Sequence, residues 1–258
     1  PVTSTVMGIG CMTKDDPYYI SAVGALGEGS SNSLSKDTDL ALAIGTKLAD
    51  FTTGSWANFE NPNFKLVSVN TARYDTTKHL ATPVISDAKV GLQKISEALG
   101  DWKAPDDWYK RAIKEKNEWD AYVEKQSGPT NQEEPSYAHA VGAVYRNSDP
   151  SDIVVTAAGG LVGEVVQVWK PKQLNTFETE WGFSCMGYEI SGALGIKMAK
   201  PDQDVVVFVG DGSYLLNNTD IYSSVIYDQK LIIIVCDNGG HMVINRLQLA
   251  KGGKEYIC

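Results

Sequence analysis

Residues 205–240 read VVVFVGDGSYLLNNTDIYSSVIYDQKLIIIVCDNGG. Two apolar runs of strand length, Val205–Val209 and Leu231–Cys236, flank a helical stretch at Asp220–Asp228. The first run ends in Gly210-Asp211-Gly212 and the second in Asp237-Asn238-Gly239-Gly240. Short β-branched runs bounded by glycine turns are the pattern of buried strands. A strand–helix–strand unit predicts two parallel neighbours in one sheet. Both tips then share the sheet edge at which α/β folds bind ligands.

Asp211 and Asn238 stand 27 positions apart, the length of one such unit. Asp211 offers a carboxylate and Asn238 an amide oxygen. The glycines expose backbone N–H and carbonyl groups. Hard oxygen ligands beside N–H donors suit Mg²⁺ bound to phosphate, because Mg²⁺ takes only a few ligands from the protein. A helix N-terminus nearby favours the phosphate charge. Asp-Gly and Asn-Gly are also ordinary turn residues, and on the dipeptides alone the turn reading prevails. The specific signal is the combination of both tips at this spacing.

Upstream, Ile153–Ala157 (IVVTA) reads as a strand running into Gly159-Gly160. Met186–Lys200 reads as a helix of small residues, with Gly187, Ser191, Gly192, Ala193, Gly195 and Ala199. Such a face permits close approach to a helix, a sheet or a ligand. In the first half, Asp39–Ile44, Lys65–Asn70 and Pro83–Ser86 are candidate strands. Ala88–Leu99 has helical spacing through Val90, Leu92, Ile95 and Leu99. Asp106–Lys125 is an amphipathic helix carrying Trp108, Ile113, Trp119 and Tyr122, with Asp at its start. Gln126–Ser136 (QSGPTNQEEPS) is the best linker, and a short helix, Ser136–Tyr145, follows it. The expectation is an α/β fold of two Rossmann-like parallel-sheet units: residues 1–125, a linker at 126–136, and residues 137–258.

The chain has 258 residues, 43% of them hydrophobic, enough for a sizeable core. Lys and Arg number 23 against 32 Asp and Glu, a formal net charge of -9. That balance argues against nucleic acid and against an anionic membrane surface as partners. No apolar run approaches the ~18–20 residues of a membrane span, and no signal-peptide pattern opens the chain. Cys11, Cys185, Cys236 and Cys258 form no C-x-x-C pair and lack zinc-ligand spacing from His79, His139 or His241. A reduced, cytoplasmic setting is expected, with Cys236 a buried thiol.

The GDG and DNGG tips resemble the diphosphate-and-magnesium motif of thiamine-diphosphate enzymes, in which GDG is followed about 25–30 residues later by an Asn, often as Asn-Asn. Here the pair is Asp237-Asn238, which keeps the ligating second residue. The resemblance implies that Asp211 and Asn238 ligate Mg²⁺ through side chains and Gly240 through its carbonyl. It places Gly210, Gly212, Ser213, Gly160, Leu161 and Met186 against the cofactor, although plain core packing is as good a reading for Leu161 and Met186. Phe177–Ala199 (FETEWGFSCMGYEISGALGIKMA) is more particular. It resembles the trihydroxycyclohexane-1,2-dione hydrolases, ring-opening enzymes of myo-inositol catabolism. Most thiamine-diphosphate carboligases read GGLGxMGxGLPAAIGA in that region. Leu40–Gly54, Asn61–Tyr74 and Asp87–Leu99 resemble the central domain of the hydrolases, and Asn245–Gln248 (NRLQ) resembles their INNLQ.

The resemblance implies hydrolysis of the C–C bond of a cyclic 1,2-diketone to 5-deoxyglucuronate, with thiamine diphosphate and Mg²⁺ as cofactors and a homodimer or tetramer as the assembly. It leaves FAD undecided. Enzymes of this kind carry a third, pyrimidine-binding domain, whose glutamate activates the cofactor of a neighbouring subunit. No position here corresponds to that glutamate, and neither Glu180 nor Glu189 maps onto it. The chain is therefore expected to be a partial sequence or a split subunit, inactive alone. His241, next to the metal loop, is a weak candidate for a proton donor or substrate partner; His79 and His139 are expected to be structural. Tyr188 and Glu189 are loose candidates for lining the site. Two other readings stand: an acetolactate-synthase-like carboligase acting on 2-keto acids, and a non-catalytic nucleotide-binding module whose GDG and DNG loops are turns.

Overall fold

The computed structural model describes residues 1–255, so Cys258 lies outside them. The chain divides into two compact units. One comprises residues 1–5 and 20–119, the other residues 6–19 and 120 onward.

The first unit contains strand β1 (Val2–Ser4), paired with β2 (Tyr19–Ala22), and helix α1 (Gly29–Asp37). Strand β3 (Leu40–Ile44), the short helix α2 (Asp50–Thr53), β4 (Lys65–Asn70), α3 (Arg73–Thr77), β5 (Thr82–Ile85) and α4 (Ala88–Leu99) follow. The sheet is parallel in the order β3-β4-β5. The expected strands and the expected helix at Ala88–Leu99 all form. The Asp87 carboxylate caps α4 by accepting from the Lys89 and Val90 N–H groups. The expected apolar face of α4 does not set its packing, however. Val90, Leu92 and Leu99 are exposed, and Gly91 is the one buried residue. A Cβ on Gly91 would stand 2.8 Å from Val69 Cγ1, so the helix approaches β4 through its glycine. Helix α5 (Asp106–Ser127) passes from the first unit into the second after Trp119. Its first half packs Ala112, Trp108 and Ile113 onto Ile20 and Leu34.

The second unit holds α6 (Tyr137–Asn147), β6 (Ile153–Thr156), α7 (Leu161–Val168), β7 (Phe177–Thr179), α8 (Tyr188–Ala199), β8 (Val205–Gly210), α9 (Asp211–Leu216), α10 (Asp220–Ile226), β9 (Ile232–Cys236) and α11 (Met242–Ala250). Its four strands are parallel in the order β7-β6-β8-β9. Strand β8 is central, and its β-branched run is buried on both faces. Val205, Val207 and Val209 face Ile190 and Ala193 of α8. Phe208 meets the Trp169 ring edge-on at 6.0 Å, and Trp169 meets Tyr145 at 5.4 Å. Helices thus cover both faces of the sheet. Strand β9 borders the described sheet and is half-buried, with Val235 43% exposed. No helix among the described residues is long and apolar enough to cross a membrane.

Candidate functional site

The strand order decides where a ligand can sit. From β6 the chain goes to β7 on one side, then crosses to β8 on the other. The switch point therefore lies between β6 and β8, where the connections diverge and leave a crevice at the carboxyl ends of the strands. The segments at that crevice are residues 157–160 after β6 and Gly210–Ser213 after β8. Gly210 pairs with Cys236, so β8 and β9 end level and Asp211 and Asn238 both lie just past the same edge.

The glycines leave these strand ends open. No atom stands within 4 Å of where a side chain would begin on Gly159, Gly210 or Gly239. Gly159 and Gly239 also have φ of +79° and +80°, which glycine adopts without penalty. Three helices start here, α7 at Leu161, α9 at Asp211 and α11 at Met242. There is no loop between β8 and α9: Gly210 closes the strand and Asp211 opens the helix.

The residues expected at the site fall as follows. The Asp211 carboxylate makes no hydrogen bond among the described residues. The Asn238 Nδ2 donates to the Tyr137 hydroxyl, the first residue of α6, which directs its Oδ1 away from that contact. The Gly240 carbonyl accepts from the Met242 N–H at 2.8 Å and keeps its second lone pair. The His241 ring and the Met186 methyl lie against Gly212; a Cβ there would stand 2.7 Å from His241 Cε1 and 3.2 Å from Met186 Cε. Gly160 caps the start of α7 and lies 3.8 Å, from where its Cβ would be, to Val243 of α11. Leu161 is 3% exposed and Ser213 is also buried, so the Leu161 side chain belongs to the core. No group of three or more His, Cys, Asp or Glu residues placed to hold a metal ion exists among the described residues. The oxygens available here are one carboxylate, one amide and one carbonyl.

One contributor, Tyr137, lies outside the motifs, and another, Glu189, lies within the Phe177–Ala199 motif. Tyr137 fixes Asn238, and its hydroxyl is held above its ordinary pKa, chiefly by burial. The sequence signalled only a short helix at Ser136–Tyr145; in the structure the Ser136 Oγ accepts from the His139 N–H, and His139 Nδ1 accepts from the Ser136 N–H. Glu189 is 1% exposed. Its Oε1 accepts from the Ala158 N–H at 3.1 Å and its Oε2 from the Gly187 N–H at 2.9 Å. Both oxygens are taken by backbone, so Glu189 does not line the site as a free acid. Glu180 organises the segment before α8, accepting from the Phe183 and Cys185 N–H groups at 2.9 and 2.8 Å. The Glu180 carboxyl is held below its ordinary pKa by these N–H donors, against an opposing burial effect. Tyr188 lays its ring over Gly192, one helical turn on, and its hydroxyl reaches Glu178.

Comparison with known proteins agrees with this geometry. Residues 1–95 match the thiamine pyrophosphate enzyme central domain, and residues 157–258 match the thiamine pyrophosphate enzyme C-terminal TPP binding domain. The chain is similar to proteins named 3D-(3,5/4)-trihydroxycyclohexane-1,2-dione hydrolase. It is 33% identical to that of Geobacillus thermodenitrificans, over 100% of this chain and 43% of the relative. It is 34% identical to that of Listeria innocua, over 100% and 44%, and 35% identical to that of Clostridium tetani, over 90% and 40%. The chain thus spans less than half the length of these relatives. With both domain matches in sequence order and the glycine-lined crevice between β6 and β8, this chain belongs to the thiamine pyrophosphate enzyme family.

Proposed function

We propose that this chain is the cofactor-holding portion of a thiamine-diphosphate-dependent hydrolase, which cleaves the C–C bond of trihydroxycyclohexane-1,2-dione to give 5-deoxyglucuronate in myo-inositol catabolism. The observation that carries the reading is the crevice between β6 and β8, lined by Gly159 and Gly210, with Asp211, Asn238 and the Gly240 carbonyl at its rim. Relatives named for this hydrolysis align with the whole chain, which supports the substrate class.

The residues present fit the cofactor. An oxygen set of carboxylate, amide and carbonyl suits Mg²⁺, which completes its octahedron with phosphate and water oxygens. Asp211, Asn238 and Gly240 would hold the ion, and residues 159–160 and 210–213 would receive the diphosphate. Once bound, thiamine diphosphate supplies the carbon nucleophile and the electron sink for the C–C cleavage. The chain's own work is positional. It fixes the diphosphate end, so that the reactive ring is held rather than free, which removes orientational entropy from the reaction. Met186 and His241, packed against Gly212, border the cofactor on this reading. The activating glutamate comes from the pyrimidine-binding domain of a neighbouring subunit in a cytoplasmic homo-oligomer.

The test is calorimetric titration of the chain with thiamine diphosphate, with and without Mg²⁺, for wild type and Asp211→Ala. Mg²⁺-dependent binding is expected in wild type and its loss in the variant, with an unchanged unfolding midpoint because the carboxylate makes no hydrogen bond among the described residues. Absence of Mg²⁺-dependent binding in wild type overturns the reading and leaves the two tips as turns. In an assembly that supplies the pyrimidine-binding domain, ring opening of the diketone is expected, and condensation of pyruvate in its place would assign a carboligase.

A further inference from the structure

Glu189 is a fully enclosed carboxylate in the first turn of α8, and nothing so far assigned to the site uses it. An anion removed from water is retained only where hydrogen bonds replace its hydration. Here two backbone N–H groups do so, one per oxygen, at 3.1 and 2.9 Å. Their positions are the point. Ala158 opens the segment that runs through Gly159 to the start of α7. Gly187, with φ of +93°, is the N-cap of α8 and directly follows Met186, whose methyl lies against Gly212. One carboxylate therefore ties together two walls of the crevice that are 31 and 2 residues away from it in sequence. Aligned on Met186-Gly187, Glu189 falls where the carboligase pattern MGxGLPAAIGA has glycine, which has no side chain to make such a tie.

We propose that Glu189 is a positioning residue for the cofactor. It holds the 158–160 segment and the start of α8 in the conformation that receives the diphosphate, without touching the cofactor itself. It also saturates the Ala158 and Gly187 N–H groups, which leaves anion binding to the amides further along, at Gly159, Gly160, Gly212 and Ser213. The inference rests on the functional reading above.

Glu189→Gln keeps the shape and one acceptor, but sets its NH₂ group against a backbone N–H, so one wall loses its tie. Losing one charge-assisted hydrogen bond of this kind corresponds to roughly tenfold or more in an equilibrium. The expected result is a Kd for thiamine diphosphate in saturating Mg²⁺ weakened about tenfold or more, in a chain that still unfolds cooperatively. A core control, Val205→Ala at the far end of β8, should lower the unfolding midpoint and leave that Kd unchanged. Should Glu189→Gln fail to fold, amide exchange in the cofactor-free wild type decides. The Ala158 and Gly187 amides should be protected well beyond those of Gly159 and Gly160. Glu189→Gln binding within twofold of wild type, or Ala158 and Gly187 amides exchanging as fast as the two glycines, overturns the proposal. A wild type that binds no cofactor refutes the functional reading and the cofactor role with it. A wild type that binds, beside an unaffected Glu189→Gln, refutes the clamp alone.

Discussion

Replacing Gly187 by alanine tests the geometry of the site entrance most sharply. Two independent penalties meet at this position. The backbone has φ of +93°, a conformation that costs an L-residue about 1–2 kcal/mol. The new Cβ would also stand 2.7 Å from the Cβ of Asn217, an atom fixed to the backbone and unable to swing away. Forcing one extra methyl into a filled space costs about 1–3 kcal/mol. Asn217 has little freedom to retreat, because its Nδ2 donates to Ser191 Oγ at 2.9 Å and Ser191 donates in turn to Asp220. The sum is a destabilisation of about 2–5 kcal/mol. At about 2–4 °C per kcal/mol for a chain of this size, the midpoint should fall by roughly 4–20 °C. Thermal unfolding followed by circular dichroism reads the shift directly. Combining the change with Asn217→Gly removes the steric part and leaves the conformational part, so a double-mutant cycle should return a favourable coupling of about 1–3 kcal/mol. A Gly187→Ala chain within ~0.5 kcal/mol of wild type, or a cycle with no coupling, would refute the argument.

Three further outcomes follow from other contacts. Tyr137→Phe deletes the acceptor that orients Asn238, so affinity for Mg²⁺ at fixed thiamine diphosphate should fall about tenfold while the unfolding midpoint holds; unchanged affinity on calorimetry would remove Tyr137 from the site. Burial pushes the Cys236 thiol from 9.0 up to about 11. The unfolded chain therefore ionises first, so the contribution of the protonated thiol is complete below pH 9 and is lost as pH rises through 11. The urea midpoint of wild type should decline more steeply over that window than that of Cys236→Ala, and parallel curves would contradict the assignment. Ser136→Ala removes the cap of α6 and should cost about 1 kcal/mol in chemical denaturation, with no loss pointing to a cap supplied by His139 alone.

The legible parts of this protein are those governed by local rules. Lys65–Asn70 and Ala88–Leu99 form where expected, the one as a short strand-length run and the other from its helical spacing. The runs at Val205 and Leu231 form strands because β-branched residues favour a pleated, enclosed backbone. Leu161–Val168 (LVGEVVQV) is the instructive exception. It is rich in valine, which favours strands, yet it is a helix, with its apolar residues at the helical spacing of Leu161, Val162, Val165, Val166 and Val168. Nearly all of it is buried, and burial outweighs the modest helix propensity of valine. Strands β2 and β7 are too short for their patterns to stand out from the surrounding chain.

For the site, the sequence by itself determined the chemistry on offer: a carboxylate at Asp211, an amide at Asn238, and glycines that free the backbone around them. Spacing put both tips on one edge, because a strand–helix–strand unit returns to the same side of its sheet. Only the tertiary structure decided that the strand order is β7-β6-β8-β9, which places the crevice between β6 and β8. Only it joined Asn238 to Tyr137 across 101 residues and Glu189 to Ala158 across 31. Such contacts leave no local periodicity, since they are made by side chains whose partners are chosen by how the sheet is assembled. The ligand types were written into the tips of the strands, and their orientation arose when the sheet closed around them.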